Sequence, residues 1–150
     1  MIRLKRTNSD DIDFINLVAL LDQDLKIRDG EEHGFYNQFN KIDKIKHAIV
    51  LYENDIAVGC GAFREKENYS VEIKRMYVSP DHRKKGIASQ VLTALELWAK
   101  ELNYPFTVLE TGKKQPEAIA LYQKSGYAEI PNYPPYENIE NSVCMKKTLQ

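Results

Sequence analysis

Two hydrophobic periodicities alternate along the chain, and they predict strands interleaved with helices. In the clearest helix, Gly86–Leu102, apolar residues recur every three or four positions: Ile87, Val91, Leu95, Trp98 and Leu102. The predicted strands, which are short apolar or alternating runs, are Ile2–Arg6, Ala48–Tyr52, Ile56–Phe63, Val71–Val78, Phe106–Glu110, Tyr127–Ile130 and Ser142–Thr148. This order predicts an α/β (α+β) fold in which one sheet is flanked by helices.

Residues that are typical of helix ends indicate where the other helices lie. Asp10 or Asp11 can cap a helix that runs to about Arg28. A short helix is predicted over Phe35–Asn40. Another is predicted over Pro116–Ser125, because proline stands in its first turn and Gly126 lies just beyond its end. The segment Pro131–Asn141, rich in proline, asparagine and tyrosine, is predicted to be a loop.

Composition narrows the class of protein. The 150 residues carry 21 Lys+Arg and 22 Asp+Glu, so the formal net charge is −1, and a general DNA or RNA binder is disfavoured. One domain is expected over residues 1–150. The longest apolar runs are five residues, which predicts no membrane span. Two distant cysteines and three unclustered histidines predict no metal site, and the cysteine usage favours the cytoplasm.

The loop Ser79–Lys85 is the first feature that indicates chemistry. It places Arg83, Lys84 and Lys85 directly before a helix that opens on Gly86-Ile87-Ala88. A helix N-terminus presents unpaired N–H groups and partial positive charge, so cations there are unfavourable unless an anion binds. The small residues Gly86 and Ala88 leave the approach open, which favours a pyrophosphate site. The competing interpretation is a solvated basic loop.

Three motifs in order carry a family resemblance. Arg83-Lys84-Lys85-Gly86-Ile87-Ala88 matches the R-x-x-G-x-G/A signature of the GNAT acyltransferase superfamily. Upstream, Glu72-Ile73-Lys74-Arg75-Met76-Tyr77-Val78 resembles the fourth strand of that family. Downstream, Ala118–Tyr127 resembles its A-x-x-L-Y-x-x-x-G-F/Y helix. The resemblance covers about Val50 to Lys147.

The resemblance implies an N-acetyltransferase that uses acetyl-coenzyme A as co-substrate. It also implies a mixed, mostly antiparallel sheet of about six or seven strands, splayed between strands four and five and flanked by about four helices. In the family, the loop after strand four wraps the coenzyme pyrophosphate and strand four pairs with the pantetheine arm. The coenzyme-binding residues implied in this way are Met76, Tyr77, Val78, Arg83, Lys84, Lys85, Gly86, Ile87, Ala88, Gln115 and Tyr122. Gln115 stands where the family often has asparagine, so an amide is retained.

The resemblance also implies two catalytic residues. Tyr122 occupies the position at which the family places a tyrosine beside the coenzyme sulfur, so it is the candidate general acid. Its alternative is a core aromatic residue on a helix face. Glu72 is the candidate base, directly or through water, against the alternative of a solvated strand carboxylate. A backbone N–H near Met76 or Tyr77 is the candidate oxyanion donor.

The acceptor side is only outlined by the sequence. Asn40, Cys60, Tyr133 and Tyr136 are candidate lining residues, and the acceptor is expected to be a small-molecule or peptide amine. The loop Pro131–Asn141 is open to two interpretations, a rigid surface turn or a lid. A non-catalytic acyl-coenzyme A sensor on the same fold is the alternative function. A homodimer through the C-terminal strand is compatible with the sequence but not required by it.

Overall fold

The computed structural model describes residues 1–29, 44–67 and 69–150. The strands are β1 (Ile2–Thr7), β2 (His47–Glu53), β3 (Ile56–Lys66), β4 (Ser70–Val78), β5 (Phe106–Gly112), β6 (Ala128–Ile130) and β7 (Ser142–Thr148). The helices are α1 (Ile12–Asp29), α2 (Ile87–Glu101) and α3 (Pro116–Lys124), and a single 3₁₀ turn spans Pro80–His82. The predicted helix Phe35–Asn40 lies outside the described residues.

The sheet has seven strands in the order β1-β2-β3-β4-β5-β7-β6. All neighbours are antiparallel except β4 and β5, which are parallel. Helices α2 and α3 pack on one face around a core that includes Leu95 and Leu109. Helix α1 covers the other face through a second core built on Phe14. The predicted mixed sheet flanked by helices is confirmed, with three α-helices in the described ranges against the four expected.

A β-bulge in β4 opens the sheet. Along the β3–β4 ladder the pair Cys60–Tyr77 is followed by Ala62–Lys74, so β4 carries one extra residue. Arg75 takes up this extra length with a φ of 61°. Pairing between β4 and β5 ends at the next pair along, Ile73–Leu109. Beyond it the two strands diverge, because β5 continues along β7 while β4 bends away, and the predicted splay is confirmed.

Two glycines in β3 bring α2 close to the sheet. A Cβ on Gly61 would lie 2.5 Å from Sδ of Met76 and 2.9 Å from side-chain atoms of Val91 and Leu95. A Cβ on Gly59 would lie 2.8 Å from Cγ2 of Ile87. The sequence Gly59-Cys60-Gly61 therefore serves helix packing, which sets how the first turn of α2 sits against β4.

The sheet and its helix caps bear on two expectations. Asp11, rather than Asp10, caps α1, since its Oδ1 accepts hydrogen bonds from the amides of Asp13 and Phe14. Strand β7 lies between β5 and β6, which pairs with residues 144–146 of β7. A homodimer through the C-terminal strand, which the sequence allows, stays a prediction. No helix in the described part of the chain is long and apolar enough to span a membrane.

Candidate active site

A cleft of about 940 Å³ opens where β4 and β5 part. Eleven of the twelve site residues expected from the sequence line it: Glu72, Met76, Tyr77, Val78, Arg83, Lys84, Gly86, Ile87, Ala88, Gln115 and Tyr122. Lys85 is the exception, and its Nζ lies 4.0 Å from Oε1 of Glu53 instead. The fold thus brings the strand, the basic loop and the tyrosine helix to one opening.

The loop before α2 presents a row of free amides to this cleft. Lys84 and Gly86 have left-handed φ values of 64° and 79°, which turns successive N–H groups toward a common concavity. The first helical hydrogen bond runs from the amide of Gln90 to the carbonyl of Gly86 at 3.1 Å. Within the described ranges, the six amides from Lys84 to Ser89 donate to no protein acceptor. Such a row is suited to an anion.

Glycine is required at position 86 by conformation rather than by crowding. A Cβ built on Gly86 meets nothing within 4 Å, so the space before the helix is open. The φ of 79° is nevertheless one that L side chains rarely adopt. An open approach combined with unpaired amides is the arrangement that a phosphate group needs.

The side chain of Arg83 is used to hold the loop. Its Nε donates to the carbonyl of Val78 at 2.8 Å, and its Nη2 lies 3.4 Å from Oδ2 of Asp24. The guanidinium therefore ties the loop to β4 and to α1. Lys84 also lines the cleft, so its positive charge is available to an anion bound at the row of amides.

Tyr122 lies on α3 with its side chain buried against Tyr127, whose ring centroid is 5.8 Å away. Burial, and then the charge of Glu110, raise the pKa of the Tyr122 hydroxyl well above its ordinary value. Among the described residues this hydroxyl has no hydrogen-bond partner, and Tyr122 lines the cleft. It is thus a protonated donor with no intramolecular acceptor.

Glu72 is buried rather than solvated, with 1% of its surface exposed. Oε2 accepts a hydrogen bond from the hydroxyl of Tyr133 at 2.8 Å, and Oε1 lies 3.2 Å from Nε of Arg64 and 3.9 Å from Nζ of Lys74. The alternative of a solvated strand carboxylate is wrong, because Tyr133 of the loop between β6 and β7 covers Glu72 together with the side chains of Arg64 and Lys74. Period-two alternation alone could not reveal that cover.

Two charged residues of the cleft, Lys74 and Glu110, were assigned no role from the sequence. Lys74 is 7% exposed, and burial lowers the pKa of its amine to about 8, although Glu72 opposes the shift. Glu110, on β5, accepts a hydrogen bond from Oγ of Ser142 at 2.7 Å and lines the cleft with Tyr122. The one sequence feature that marks Glu110 is its position as a charged residue at the end of a predicted buried strand.

Three buried side-chain nitrogens of the described residues have no hydrogen-bond partner: Nε of Arg75, Nδ1 of His82 and Nδ2 of Asn141. All three residues line the cleft. Arginine Nε and asparagine Nδ2 can only donate. A buried polar group without a partner is costly, so these orphaned atoms indicate that the cleft is shaped for a ligand.

The candidate acceptor residues separate in the structure. Tyr136 is buried and lines the cleft. Tyr133 is not among the lining residues, and its hydroxyl donates a hydrogen bond to Glu72. Cys60 is fully buried and absent from the lining, and its Sγ contacts the carbonyl of Arg75 at 3.4 Å. Burial raises the pKa of the Cys60 thiol, which keeps it unreactive. Asn40 lies outside the described residues.

Comparison with known proteins agrees with this geometry. The acetyltransferase (GNAT) family model matches residues 15–127. An IAA acetyltransferase of Azospirillum brasilense is 35% identical over 102 residues, which are 67% of this chain and 67% of that protein. The chain therefore spans about two thirds of the length of this relative.

Solved structures extend the likeness over the whole chain. A Klebsiella pneumoniae protein assigned as an acyl-CoA N-acyltransferase superposes with a TM-score of 0.84 at 30% identity, covering 100% of this chain and 99% of its own. The PaiA N-acetyltransferase of Thermoplasma acidophilum, solved with coenzyme A, has a TM-score of 0.74 at 14% identity, covering 99% of each chain, which is a likeness of fold. With its splayed sheet, its row of free amides and the match over residues 15–127, the chain belongs to the GNAT acetyltransferase family.

Proposed function

We propose that the protein transfers the acetyl group of acetyl-coenzyme A to a primary amine of a small molecule, amino acid or peptide. The transfer is by direct attack of the amine in a ternary complex. The observation that carries this proposal is the position of Tyr122, a buried residue that lines the cleft and whose hydroxyl has no partner among the described residues. A tyrosine that only packed in the core would satisfy its hydroxyl within the protein.

The residues around α2 fit a coenzyme diphosphate. The free amides of Lys84 to Ser89 and the open space before Gly86 form a cradle of the right chemistry. Beyond Ile73, the edge of β4 that faces β5 has no strand partner in the described part of the chain, so it can pair with an extended amide chain. Lys84 supplies positive charge, and acetyl-coenzyme A supplies the thioester that is cleaved.

Amine attack requires removal of a proton. A lysine-like amine has a pKa of about 10.4 and is mostly protonated at neutral pH. Glu72 is the proposed base, directly or through water, and its bond to Tyr133 fixes its orientation. Glu110 is the competing carboxylate, because it lines the same cleft and its charge acts on Tyr122.

Tyr122 is the proposed general acid. Because burial raises its pKa, the hydroxyl stays protonated through the neutral range and can donate to the leaving thiolate. The amides of β4 near Met76 and Tyr77 are the proposed donors to the carbonyl oxygen of the acetyl group, in the role of an oxyanion hole. Gln115 is proposed to contact the coenzyme from the start of α3.

The test combines binding and turnover. Calorimetry with acetyl-coenzyme A measures association, and release of free thiol is followed over a panel of amines. Binding together with thiol release that depends on an amine supports the proposal. Tight binding with no thiol release on any amine contradicts it and favours the acyl-coenzyme A sensor. Absence of binding contradicts both.

A further inference from the structure

The two sides of the cleft differ in chemistry. On the α2 face, β4 presents Ile73 and Val78 to the apolar core. On the α1 face, three charged residues of β4 are buried, Glu72 at 1% exposure and Lys74 and Arg75 at 7% each. The diphosphate cradle before α2 makes no use of this charged wall. The wall is therefore available to the other substrate of the proposed reaction.

Arg75 is the member of this wall with unused hydrogen-bonding capacity. Its Nη1 donates to Oδ1 of Asp22 on α1 at 2.8 Å, which fixes the guanidinium. Its Nε is buried and has no partner among the described residues. Arg75 lines the cleft, and so does the buried Tyr136 of the loop between β6 and β7. Arg75 and this loop therefore border the same cleft.

The partner missing from Nε must be a hydrogen-bond acceptor, because arginine has no acceptor atoms. Nε and the adjacent amino group of a guanidinium form a planar fork that matches the two oxygens of a carboxylate. A carboxylate from the substrate would complete that fork. The bulge that gives Arg75 its φ of 61° is what directs this residue to the α1 face.

Charge balance on this wall points in the same direction. The described groups pair Arg75 with Asp22, and Arg64 and Lys74 with Glu72, while Glu110 adds a further carboxylate. An acceptor with several amines would bring additional positive charge next to the buried Lys74 and Arg75. An acceptor with one ammonium and one carboxylate is neutral overall and offers a partner to each sign.

We propose that the amine acceptor also carries a carboxylate, and that Arg75 binds this carboxylate as a specificity-determining residue. The inference rests on the proposed acetyl transfer and specifies its acceptor class. In this arrangement the ammonium lies toward Glu72 and Glu110, and the carboxylate lies toward Arg75. Amino acids and dipeptides with a free amino terminus belong to this class, and simple amines and polyamines do not.

The experiment compares matched acceptors by thiol release from acetyl-coenzyme A. The pairs are L-phenylalanine with phenethylamine, L-tryptophan with tryptamine, and L-lysine with cadaverine. In the wild-type protein, we expect kcat/KM to be at least about tenfold higher for the carboxylated member of the preferred pair, which is the scale of one charge-assisted hydrogen bond. In Arg75→Met we expect this ratio to fall toward one, through a higher KM for the carboxylated member.

Two further variants separate recognition from a structural role. Arg75→Lys keeps the charge but loses the fork, so it should recover only part of the preference. Arg6→Met is the matched control, because Arg6 is also ion-paired, with Glu101 at 2.9 Å, but is exposed and does not line the cleft. This variant should leave the ratio of kcat/KM values unchanged. If Arg75→Met does not fold, the kcat/KM ratios of the wild-type protein and of Arg75→Lys test the proposal instead.

The outcomes distinguish this inference from the proposed function. Thiol release with the simple amines equal to or above that with the carboxylated ones overturns the carboxylate proposal and leaves acetyl transfer intact. An unchanged preference in Arg75→Met also overturns it. If neither kind of amine supports thiol release, the proposed acetyl transfer itself is overturned.

Discussion

The hydroxyl of Tyr133 donates a hydrogen bond of 2.8 Å to Oε2 of Glu72, a residue 61 positions earlier in the chain. This bond holds the loop between β6 and β7 against β4, and the loop helps to bury the carboxylate, since Glu72 is 1% exposed. The loop is therefore neither a free surface turn nor detached from the cleft. It forms part of the wall of the candidate active site, together with the buried Tyr136.

Replacing Glu72 with glutamine tests its role as base. Glu72→Gln cannot take up a proton, so the acidic limb of the pH–rate profile should flatten and kcat should fall by about 10²–10⁴. The matched control is Glu129→Gln, which changes an exposed glutamate of β6. An unchanged acidic limb in Glu72→Gln would remove Glu72 from catalysis, and the same measurement on Glu110→Gln would then be decisive.

Removing one oxygen atom tests the general acid. Tyr122→Phe should lower kcat by about 10²–10⁴ while acetyl-coenzyme A still binds, because only proton donation is lost. Since burial raises the pKa of this hydroxyl, no loss of activity from its ionisation is expected in the neutral range. Tyr69→Phe, at an exposed tyrosine, is the control. Wild-type turnover in Tyr122→Phe would eliminate the acid role.

Alanine at position 86 tests the anion cradle. Gly86→Ala should lower the free energy of unfolding by about 1–2 kcal/mol, because a side chain at a left-handed φ is strained. It should also weaken coenzyme binding, since relief of the strain moves the amides. Gly126→Ala is the matched control, because Gly126 has a φ of 99° but does not line the cleft.

Urea unfolding and calorimetry on both glycine variants give the answer. Equal stability losses with weaker coenzyme binding only in Gly86→Ala support the cradle. Unchanged coenzyme affinity in Gly86→Ala would mean that the row of amides does not hold the coenzyme.

A methyl group on Gly61 tests the close approach of α2 to the sheet. The added Cβ would lie 2.5 Å from Sδ of Met76 and 2.9 Å from Cδ1 of Leu95, so neighbouring groups must move. Gly61→Ala should destabilise the protein by about 1–3 kcal/mol, the usual cost of overpacking. Thermal or urea unfolding measures the change. Stability equal to the wild type would show that α2 can shift without cost.

Asp11 should make stability depend on pH at the acidic end. Burial by itself raises the pKa of its carboxyl, but hydrogen bonds from Lys5, the amide of Phe14 and Thr7 outweigh this and hold the pKa below its usual range. A depressed folded pKa gives stability that is present above the unfolded pKa of about 3.9. This stability is lost as pH falls through the folded value.

Two substitutions separate the cap from the charge of Asp11. Asp11→Ala should cost about 0.5–2 kcal/mol at pH 7 through loss of the α1 cap. Asp11→Asn keeps an oxygen for the amide of Phe14 and should lose less stability, with a weaker dependence on pH below 5. Urea unfolding at several pH values measures both. An identical pH dependence in Asp11→Asn and the wild type would exclude Asp11 as its source.

The features that the sequence predicted correctly involve residues that are close along the chain. The stretch from Glu72 to Ala88 contains the strand, the basic loop and the helix start, and its glycine and small residues specify local backbone geometry. The structure places the site residues predicted in this stretch at the cleft, except Lys85, whose side chain turns toward Glu53. No local pattern gives that direction, because Glu53 belongs to another strand.

The sequence by itself determined most of the element order and the sharp turn before α2, because hydrophobic periodicity and turn chemistry act over a few residues. Three motifs in order along the chain indicated the family. Only the tertiary structure decided the charged wall of the cleft. Glu72 meets Tyr133 across 61 positions, and Arg75 meets Asp22 across 53. Such contacts depend on strand order and on the one-residue bulge in β4 that turns Arg75 toward α1. Burial of a charge is a property of what packs over it, and that cover comes from distant parts of the chain.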